Sequence, residues 1–292
     1  MTDRTSCIIC NGNEFRPIFD NTLKRCCDCG FVTANMDISE ETLKSTYSLN
    51  YFMGEEYMDY LKDKDILQLN FEKKIRIIRK LVKGEPGLTN CLEIGSAFGF
   101  FGEVLLKHFR TQYTGVDVVK EAADYGKSNL RLNMISGDYL RISAPSELYT
   151  DVFLWDVIEH LQYPQLFLHK AFNEMAAGGR IYISTGDISG LLPRVQGKRW
   201  RMIHPPSHIH YFSASHLQKL LQQSGFHVIH TSYVPVYRSL RQIYYSLFLL
   251  KKTGKISSKL FNLIPSQWHI PINTYDIVFM AAIKNNPTPR HE

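Results

Sequence analysis

Between Cys91 and Thr185 the chain switches repeatedly between short apolar runs and longer amphipathic ones: CLEIG, FFGEVLLKHF, YTGVDVV, EAADYGKSNL, LNMIS, DVFLWD, QLFLHKAFNEMA and RIYIST. A strand that is apolar along its whole length must be covered on both faces, and the helices linking successive strands supply that cover. The alternation therefore predicts an α/β fold with a mostly parallel sheet and helices on both faces. A helix around Ser213 to Ser224 and two late strands, FHVIHTSYV and YDIVFMAAI, bring the expected sheet to seven strands.

Composition agrees: hydrophobic residues make up 44% and charged residues 21% of 292, a globular mixture that excludes a disordered chain. The 34 basic against 28 acidic residues leave +6, which favours an anionic partner. The longest apolar stretch, Ile243 to Leu250, falls short of the roughly 20 residues that cross a bilayer. The N-terminal MTDRTSCIIC lacks the apolar run of a secretory signal, so the expected location is cytoplasmic.

Five of the six cysteines lie in the first 30 residues. Cys7-Ile-Ile-Cys10 and Cys26-Cys27-Asp28-Cys29 are two CxxC pairs separated by fifteen residues, the spacing of a four-thiolate zinc site. Cys7, Cys10, Cys26 and Cys29 are the expected ligands, with Cys27 a spare thiol and Gly12 and Gly30 permitting the knuckle turns. A disulfide framework would need an oxidising compartment, and a redox CxxC a preceding βαβ unit. Four sulfur ligands leave no open position, so this zinc would hold a fold or dock an acceptor. The expected organisation is a zinc-ribbon-like module at 1–36, a helical linker or lid at 37–84 and a core at 85–286. The core would carry an acceptor loop at 187–212 and a basic insertion at 237–272. Within the linker, Leu67, Phe71, Ile75, Ile78 and Val82 mark an amphipathic helix ended by Gly84, Pro86 and Gly87.

Glu93-Ile94-Gly95-Ser96-Ala97-Phe98-Gly99 joins a strand to a helix, where small residues let a ligand approach the backbone. Asp117 ends the next strand 22 residues after Gly95, where a carboxylate accepts both hydroxyls of a ribose. That pair fits a dinucleotide or an adenosyl ligand. Glu93 favours the second, because its charge opposes a pyrophosphate and suits a cationic sulfonium amino acid. Asp138, after the third strand, is placed to accept from an adenine amino group.

LEIGSAFGFF, GVDVV, GDYL, DVFLWDVIEHLQYP and GGRIYIST, in this order, resemble the successive motifs of class I S-adenosylmethionine-dependent methyltransferases, over about residues 88 to 235. The resemblance implies a Rossmann-like fold with Glu93, Gly95, Ala97 and Gly99 around the methionine moiety, Asp117 on the ribose, and Asp138 with Tyr139 near the adenine. Ser96, Val118 and Trp155 complete the expected cofactor contacts. Ala97 departs from the usual second glycine by one methyl group. A CxxC module on such a core also resembles sugar-modifying methyltransferases of bacterial glycan and antibiotic pathways, without the longer C-terminal domain of the sugar C-methyltransferases.

Trp155-Asp156-Val157-Ile158-Glu159-His160 carries a D-x-x-E-H spacing of oxygen and imidazole donors suited to magnesium, manganese or zinc. It is similar to the E-x-x-E-H segment of metal-dependent O-methyltransferases of ubiquinone biosynthesis and of the 3′-terminal ribose of small RNAs. By that likeness Asp156, Glu159 and His160 match ligand positions, and His208 the downstream histidine of the small-RNA group. The alternative is that Glu159 and His160 cap a helix, leaving His160, His208 or His210 as the general base.

The loop Gly197-Lys198-Arg199-Trp200-Arg201 offers cations and an aromatic for a phosphate or a sugar ring. Tyr237, Arg238, Arg241, Tyr244, Tyr245, Lys251, Lys252 and Lys255 fit a packed helix with basic ends, a peripheral membrane contact or an RNA-facing surface. The expected activity is O-methylation of a sugar hydroxyl on a nucleotide- or lipid-linked glycan precursor. RNA methylation and a non-catalytic S-adenosylmethionine-binding scaffold stand as alternatives.

Overall fold

A computed structural model describes residues 6–39, 42, 46, 47, 52, 60–85, 87–239 and 269–285. In chain order its elements begin with three short strands, β1 (Phe15–Ile18), β2 (Leu23–Cys26) and β3 (Val32–Ala34), followed by helix α1 (Lys64–Leu81). Then come β4 (Asn90–Ile94), α2 (Phe100–His108), β5 (Gln112–Asp117), α3 (Lys120–Leu130), β6 (Met134–Ser136), β7 (Tyr149–Trp155), α4 (Pro164–Glu174) and β8 (Met175–Gly186). The remainder is α5 (Leu191–Gln196), β9 (His210–Tyr211), α6 (Ala214–Gln223), β10 (Phe226–Tyr233), β11 (Val236–Ser239), β12 (His269–Ile272) and β13 (Ile277–Lys284).

All seven expected strands join one sheet in the order β10-β13-β8-β7-β4-β5-β6. The β4, β5, β6, β7 and β8 pairings are parallel, and β13 inserts antiparallel between β8 and β10. Helices cover both faces, because the central strands are buried on each. Phe153 and Tyr182 pack with Ile75, Phe101 and Ala122 on one side, and Leu92, Leu154 and Ile183 with Leu168 and Leu217 on the other. Reversal of strand order at β4, between β5 and β7, opens the crevice where open α/β sheets bind ligands.

One boundary differs from the sequence expectation. Met175 and Ala176, read as the end of a helix, begin β8, because Lys284 Nζ donates to the carbonyls of Phe172 and Met175 at 2.7 Å and so ends α4 there.

The cysteine-bearing segment is not a tethered appendage. Its strands β1-β2-β3 are continued by β9, with Val32 opposite Tyr211 and Thr33 opposite His210. Cys7, Ile9, Cys26 and Phe31 pack in the same apolar cluster as α4 and α6. His216 Nε2 meets the Cys29 carbonyl at 3.1 Å, and Gln223 Nε2 donates to the Ile9 carbonyl at 3.0 Å. Of the expected insertion at 237–272, β11 and β12 form an antiparallel ribbon. Arg241, Tyr244, Tyr245, Lys251, Lys252 and Lys255 lie outside the described residues, as do Pro86 and most of 40–59 in the expected linker. Among the described residues no helix is long and apolar enough to cross a membrane.

Charge inside this core is paired. Asp151 on β7 is fully buried and accepts from Arg180 Nε at 2.8 Å, Arg180 Nη2 at 3.1 Å and Tyr182 Oη at 3.1 Å, all on β8. Removing one partner leaves a buried charge without compensation. Asp151→Ala is expected to cost about 3–5 kcal/mol of stability, measured by urea denaturation at neutral pH.

Candidate active site

The turn after β4 is shaped by backbone conformation. Gly95, Ala97 and Gly99 take φ of +72°, +46° and +80°. A Cβ at Gly95 would lie 2.4 Å from Val157 Cγ2, so both φ and space require glycine there. The Gly95 and Ser96 amides donate to the Val116 carbonyl at 2.8 and 3.0 Å, and the Ala97 amide donates to Asp117 Oδ2 at 2.7 Å. Asp117 Oδ1 accepts from the Val119 amide at 2.9 Å, so this carboxylate joins the turn to the end of β5. Burial pushes it up to about 6 against the pull of those amides. Val118 beside it is exposed.

Glu93 is buried on β4, accepts from the Tyr113 hydroxyl and is pushed up to about 8, chiefly by burial. The Ser96 hydroxyl, also buried, has no partner among the described residues. Asp138 caps a 3-10 turn by accepting from the Leu140 amide at 3.0 Å. Tyr139 departs from its expected place near the adenine: it is 3% exposed and donates to Glu174 Oε2 at 2.6 Å across the core. Trp155 closes the floor of the crevice among Phe101, Phe153 and Phe279, its indole N–H without a partner among the described residues.

Lys74 of α1 is a residue that the sequence reading passed over. It is 8% exposed, with Nζ 4.4 Å from the Trp155 ring, and donates to Ser184 Oγ at 2.9 Å. Ser184 in turn donates to Asp156 Oδ1 at 3.0 Å, and Lys74 Nζ lies 3.8 Å from Asp156 Oδ2. Burial lowers the ammonium's pKa, opposed by Asp156, Glu93 and Glu159. The signal was available, because Phe71, Lys74, Ile75 and Ile78 share one stripe of an amphipathic helix.

The structure brings three of the expected acceptor-side residues together. Donor atoms of Glu159, His160 and His208 all lie within 4.8 Å of one another. Glu159 is 2% exposed, no donor among the described residues meets its carboxylate in good hydrogen-bond geometry, and burial and then Asp156 push it up to about 8, with its own amide and the Thr185 hydroxyl pulling the other way. His160 donates through Nδ1 to the Ser207 carbonyl at 2.8 Å and is held down at about 4 by burial. His208 is pushed well below its usual range by burial, with the neighbouring His160 and His204 adding to it. Its ring centroid is 4.5 Å from that of His160 and 3.9 Å from that of His204, a neighbour not singled out from the sequence.

Two expected members stay apart. Asp156, at φ +54°, turns toward Ser184 and Lys74. His210 faces the cysteine module instead, with Nδ1 3.1 Å from Thr33 Oγ1, Nε2 3.4 Å from the Gln162 carbonyl and the Phe31 ring alongside. Trp200 is likewise no platform for a sugar: it is 2% exposed and donates to Asp276 Oδ2 at 2.9 Å.

In the N-terminal module the four expected sulfurs also lie within 4.8 Å of one another, with Cys7 to Cys29 and Cys10 to Cys26 at 3.5 Å. That exceeds the roughly 2.05 Å of a disulfide and fits the edges of a tetrahedron with about 2.3 Å arms, as four thiolates adopt around zinc. Cys27 is exposed and outside the group. The first knuckle departs from expectation in one respect: Asn11 takes the positive φ of 61°, while Gly12 leaves room for Asp28, whose Oδ2 would lie 2.0 Å from a Cβ.

The sequence matches the methyltransferase-domain family over residues 55–231. No curated protein matches it. Among solved structures it is similar to an S-adenosylmethionine-dependent methyltransferase of Thermotoga maritima, at 15% identity and a TM-score of 0.53, covering 83% of this chain and 98% of the other. It is also similar to the 4+2 cyclase SpnF, at 14% identity and a TM-score of 0.50, covering 73% and 82%. The seven-stranded sheet, the glycine turn beside the β5 carboxylate and the match over most of the chain converge: the protein belongs to the S-adenosylmethionine-dependent methyltransferases.

Proposed function

We propose that the protein methylates a sugar hydroxyl of a nucleotide- or lipid-linked glycan precursor in the cytosol, with a divalent cation held by Glu159, His160 and His208. The observation that carries this reading is the gathering of the buried Glu159 carboxylate, which no donor among the described residues meets in good hydrogen-bond geometry, with two imidazoles whose burial keeps them neutral. With Asp156 turned away, one oxygen and two nitrogen donors suit zinc or manganese better than magnesium, which prefers an all-oxygen set. Such a cation supplies Lewis acidity, lowering the pKa of a bound hydroxyl. The remaining work belongs to the chain. Methyl transfer is an in-line displacement at carbon, so the gain comes from holding donor and acceptor in near-attack geometry.

Glu93 is suited to the ammonium of the methionine moiety, Asp117 to the ribose hydroxyls and Asp138 to the adenine amino group. Each Asp117 oxygen keeps a lone pair beyond its present amide bond. Lys74 holds Ser184 and Asp156 in one chain of hydrogen bonds at the crevice floor. The Cys7, Cys10, Cys26 and Cys29 thiolates are suited to a structural zinc, which would fix the module and, through β3 and β9, the loop carrying His208.

Purified protein given methyl-labelled S-adenosylmethionine and separate pools of nucleotide sugars, glycolipids and RNA is expected to label a sugar-bearing pool; label confined to RNA would overturn the acceptor. Stripping divalent cations, or Glu159→Gln, is expected to lower turnover about 100-fold or more, with zinc or manganese restoring only the former. Undiminished turnover without metal would remove the cation from the reaction.

Elemental analysis is expected to give one zinc per chain that is absent from Cys7→Ser and Cys29→Ser, both with reduced melting temperature.

Cofactor affinity should also depend on pH. Tyr113, Asp117 and Lys74 face Glu93, whose pKa stands at about 8. An ammonium ligand prefers the ionised carboxylate, so S-adenosylhomocysteine binding measured by calorimetry should weaken as pH falls from about 8 toward 6. Glu93→Gln should bind more weakly at pH 8 and lose that slope.

A further inference from the structure

Where the cysteine module meets the core, a cavity of about 320 Å³ opens, at the lower end of the roughly 300–1,000 Å³ of small-molecule sites. Phe15 of β1 and Lys24 of β2 line it from the module, Gln162 and Gln165 from the start of α4, and Ile209 and His210 from the segment that enters β9. Hydrogen bonds across the seam hold these walls in place. The Thr33 hydroxyl donates to the Ile209 carbonyl at 2.9 Å and lies 3.1 Å from His210 Nδ1, while His210 Nε2 lies 3.4 Å from the Gln162 carbonyl.

The lining combines aromatic rings with polar groups of both kinds. Phe15 and Phe31 supply the rings, and Lys24 Nζ stands 4.9 Å over that of Phe15. Gln165 Oε1 is buried and has no partner among the described residues. Lys24 and Asp37, an ammonium and a carboxylate of the lining, form no ion pair among the described residues. Burial holds the His210 imidazole down at about 4, so it adds no charge at neutral pH. A phosphate is a poor fit, since the Asp37 carboxylate opposes the attraction of Lys24. Hydroxyl groups, which donate and accept, can meet an amide oxygen, an ammonium and a carboxylate together, and the apolar face of a sugar ring packs on an aromatic side chain.

The cavity adjoins the Glu159, His160 and His208 cluster along the chain. Gln162 stands two residues from His160 and Ile209 one from His208, at about 3.8 Å per Cα step. The Ile209 amide donates to the Glu159 carbonyl at 2.9 Å. One glycosidic link spans such an interval. We propose that this cavity between the cysteine module and the core binds an uncharged glycosyl unit of the acceptor, the neighbour of the sugar that is methylated. The inference rests on the sugar-hydroxyl reading above and narrows its acceptor to a saccharide of two or more units.

The full chain, with S-adenosylhomocysteine present, is tested on an array of neutral mono-, di- and trisaccharides with uridine as a control. Binding is expected to favour the di- and trisaccharides and to weaken about tenfold or more in Gln165→Leu and in Asp37→Ala. Phe15→Leu, which stays apolar and loses the ring, should fall between. Absence of saccharide binding, binding unchanged in Gln165→Leu and Asp37→Ala, or uridine bound more tightly than every saccharide would overturn the subsite. S-adenosylhomocysteine affinity equal to that of the unsubstituted protein shows that each variant is folded; Asp37 is exposed, so Asp37→Ala decides if Gln165→Leu fails to fold. Mass spectrometry of the methylated product is expected to find two or more linked sugars. A product with one sugar overturns this inference alone, whereas sugar-bearing pools that take no label sink the sugar-hydroxyl reading whatever the array shows.

Discussion

The main chain of Ile209 ties the three parts of this protein together. Its amide donates to the Glu159 carbonyl at 2.9 Å, and its own carbonyl accepts from the Ala34 amide at 2.8 Å and from Thr33 Oγ1 at 2.9 Å. One residue therefore fixes the turn after β7, the loop carrying His208 and the last strand of the cysteine module. Because His160 also donates to the Ser207 carbonyl, the imidazole of one segment is oriented by the backbone of the other. Such second contacts set which nitrogen of a histidine remains available, and so decide what the cluster can hold. A module joined only by a flexible linker could not impose that order. Four closely spaced sulfurs at its far end give it the means to be rigid.

Around that framework the crevice concentrates ionisable groups that burial opposes. Glu93 and Glu159 are both pushed up to about 8 and Asp117 to about 6, with the Lys74 ammonium among them and its own pKa lowered. Isolated charges at these depths would be costly, and each is moderated by a named partner or left ready for one. Tyr113 donates to Glu93, two amides donate to Asp117, and Ser184 bridges Lys74 to Asp156. Glu159 is moderated least directly, with the Thr185 hydroxyl and Lys74 acting on it but no donor among the described residues in good hydrogen-bond geometry. Strong perturbation in a cleft is characteristic of functional sites, though structural ion pairs produce it as well. Asp151 with Arg180 is the structural case here, fully satisfied and remote from the glycine turn along β7 and β8.

Much of the fold was legible because local signals and the global arrangement agree. Each strand of the sheet is a short apolar run bounded by polar or turn residues, and the glycine turn is demanded by φ at Gly95 and Gly99. The gathering of Glu159, His160 and His208 was partly legible from spacing and likeness. What escaped the sequence depended on contacts distant along the chain. Thr33 pairs with His210 across 177 residues, and that pairing turns His210 toward the module. Tyr139 and Trp200, aromatic residues beside polar loops, found buried carboxylates in Glu174 and Asp276 and became core. Asp156 was displaced from the expected ligand set by its positive φ and by Ser184 on the neighbouring strand. Lys74 was readable as a cation on an apolar stripe, yet only the packed sheet reveals the acidic crevice that it enters.

The central claim is that the crevice delivers a methyl group to a hydroxyl oxygen. It is tested most directly by running the reaction with S-adenosylmethionine carrying carbon-13 in its methyl group and recording the carbon spectrum of the product. The account predicts a single methoxyl resonance coupled through oxygen to a sugar ring carbon. A resonance of a methyl bound to nitrogen or to carbon would contradict it.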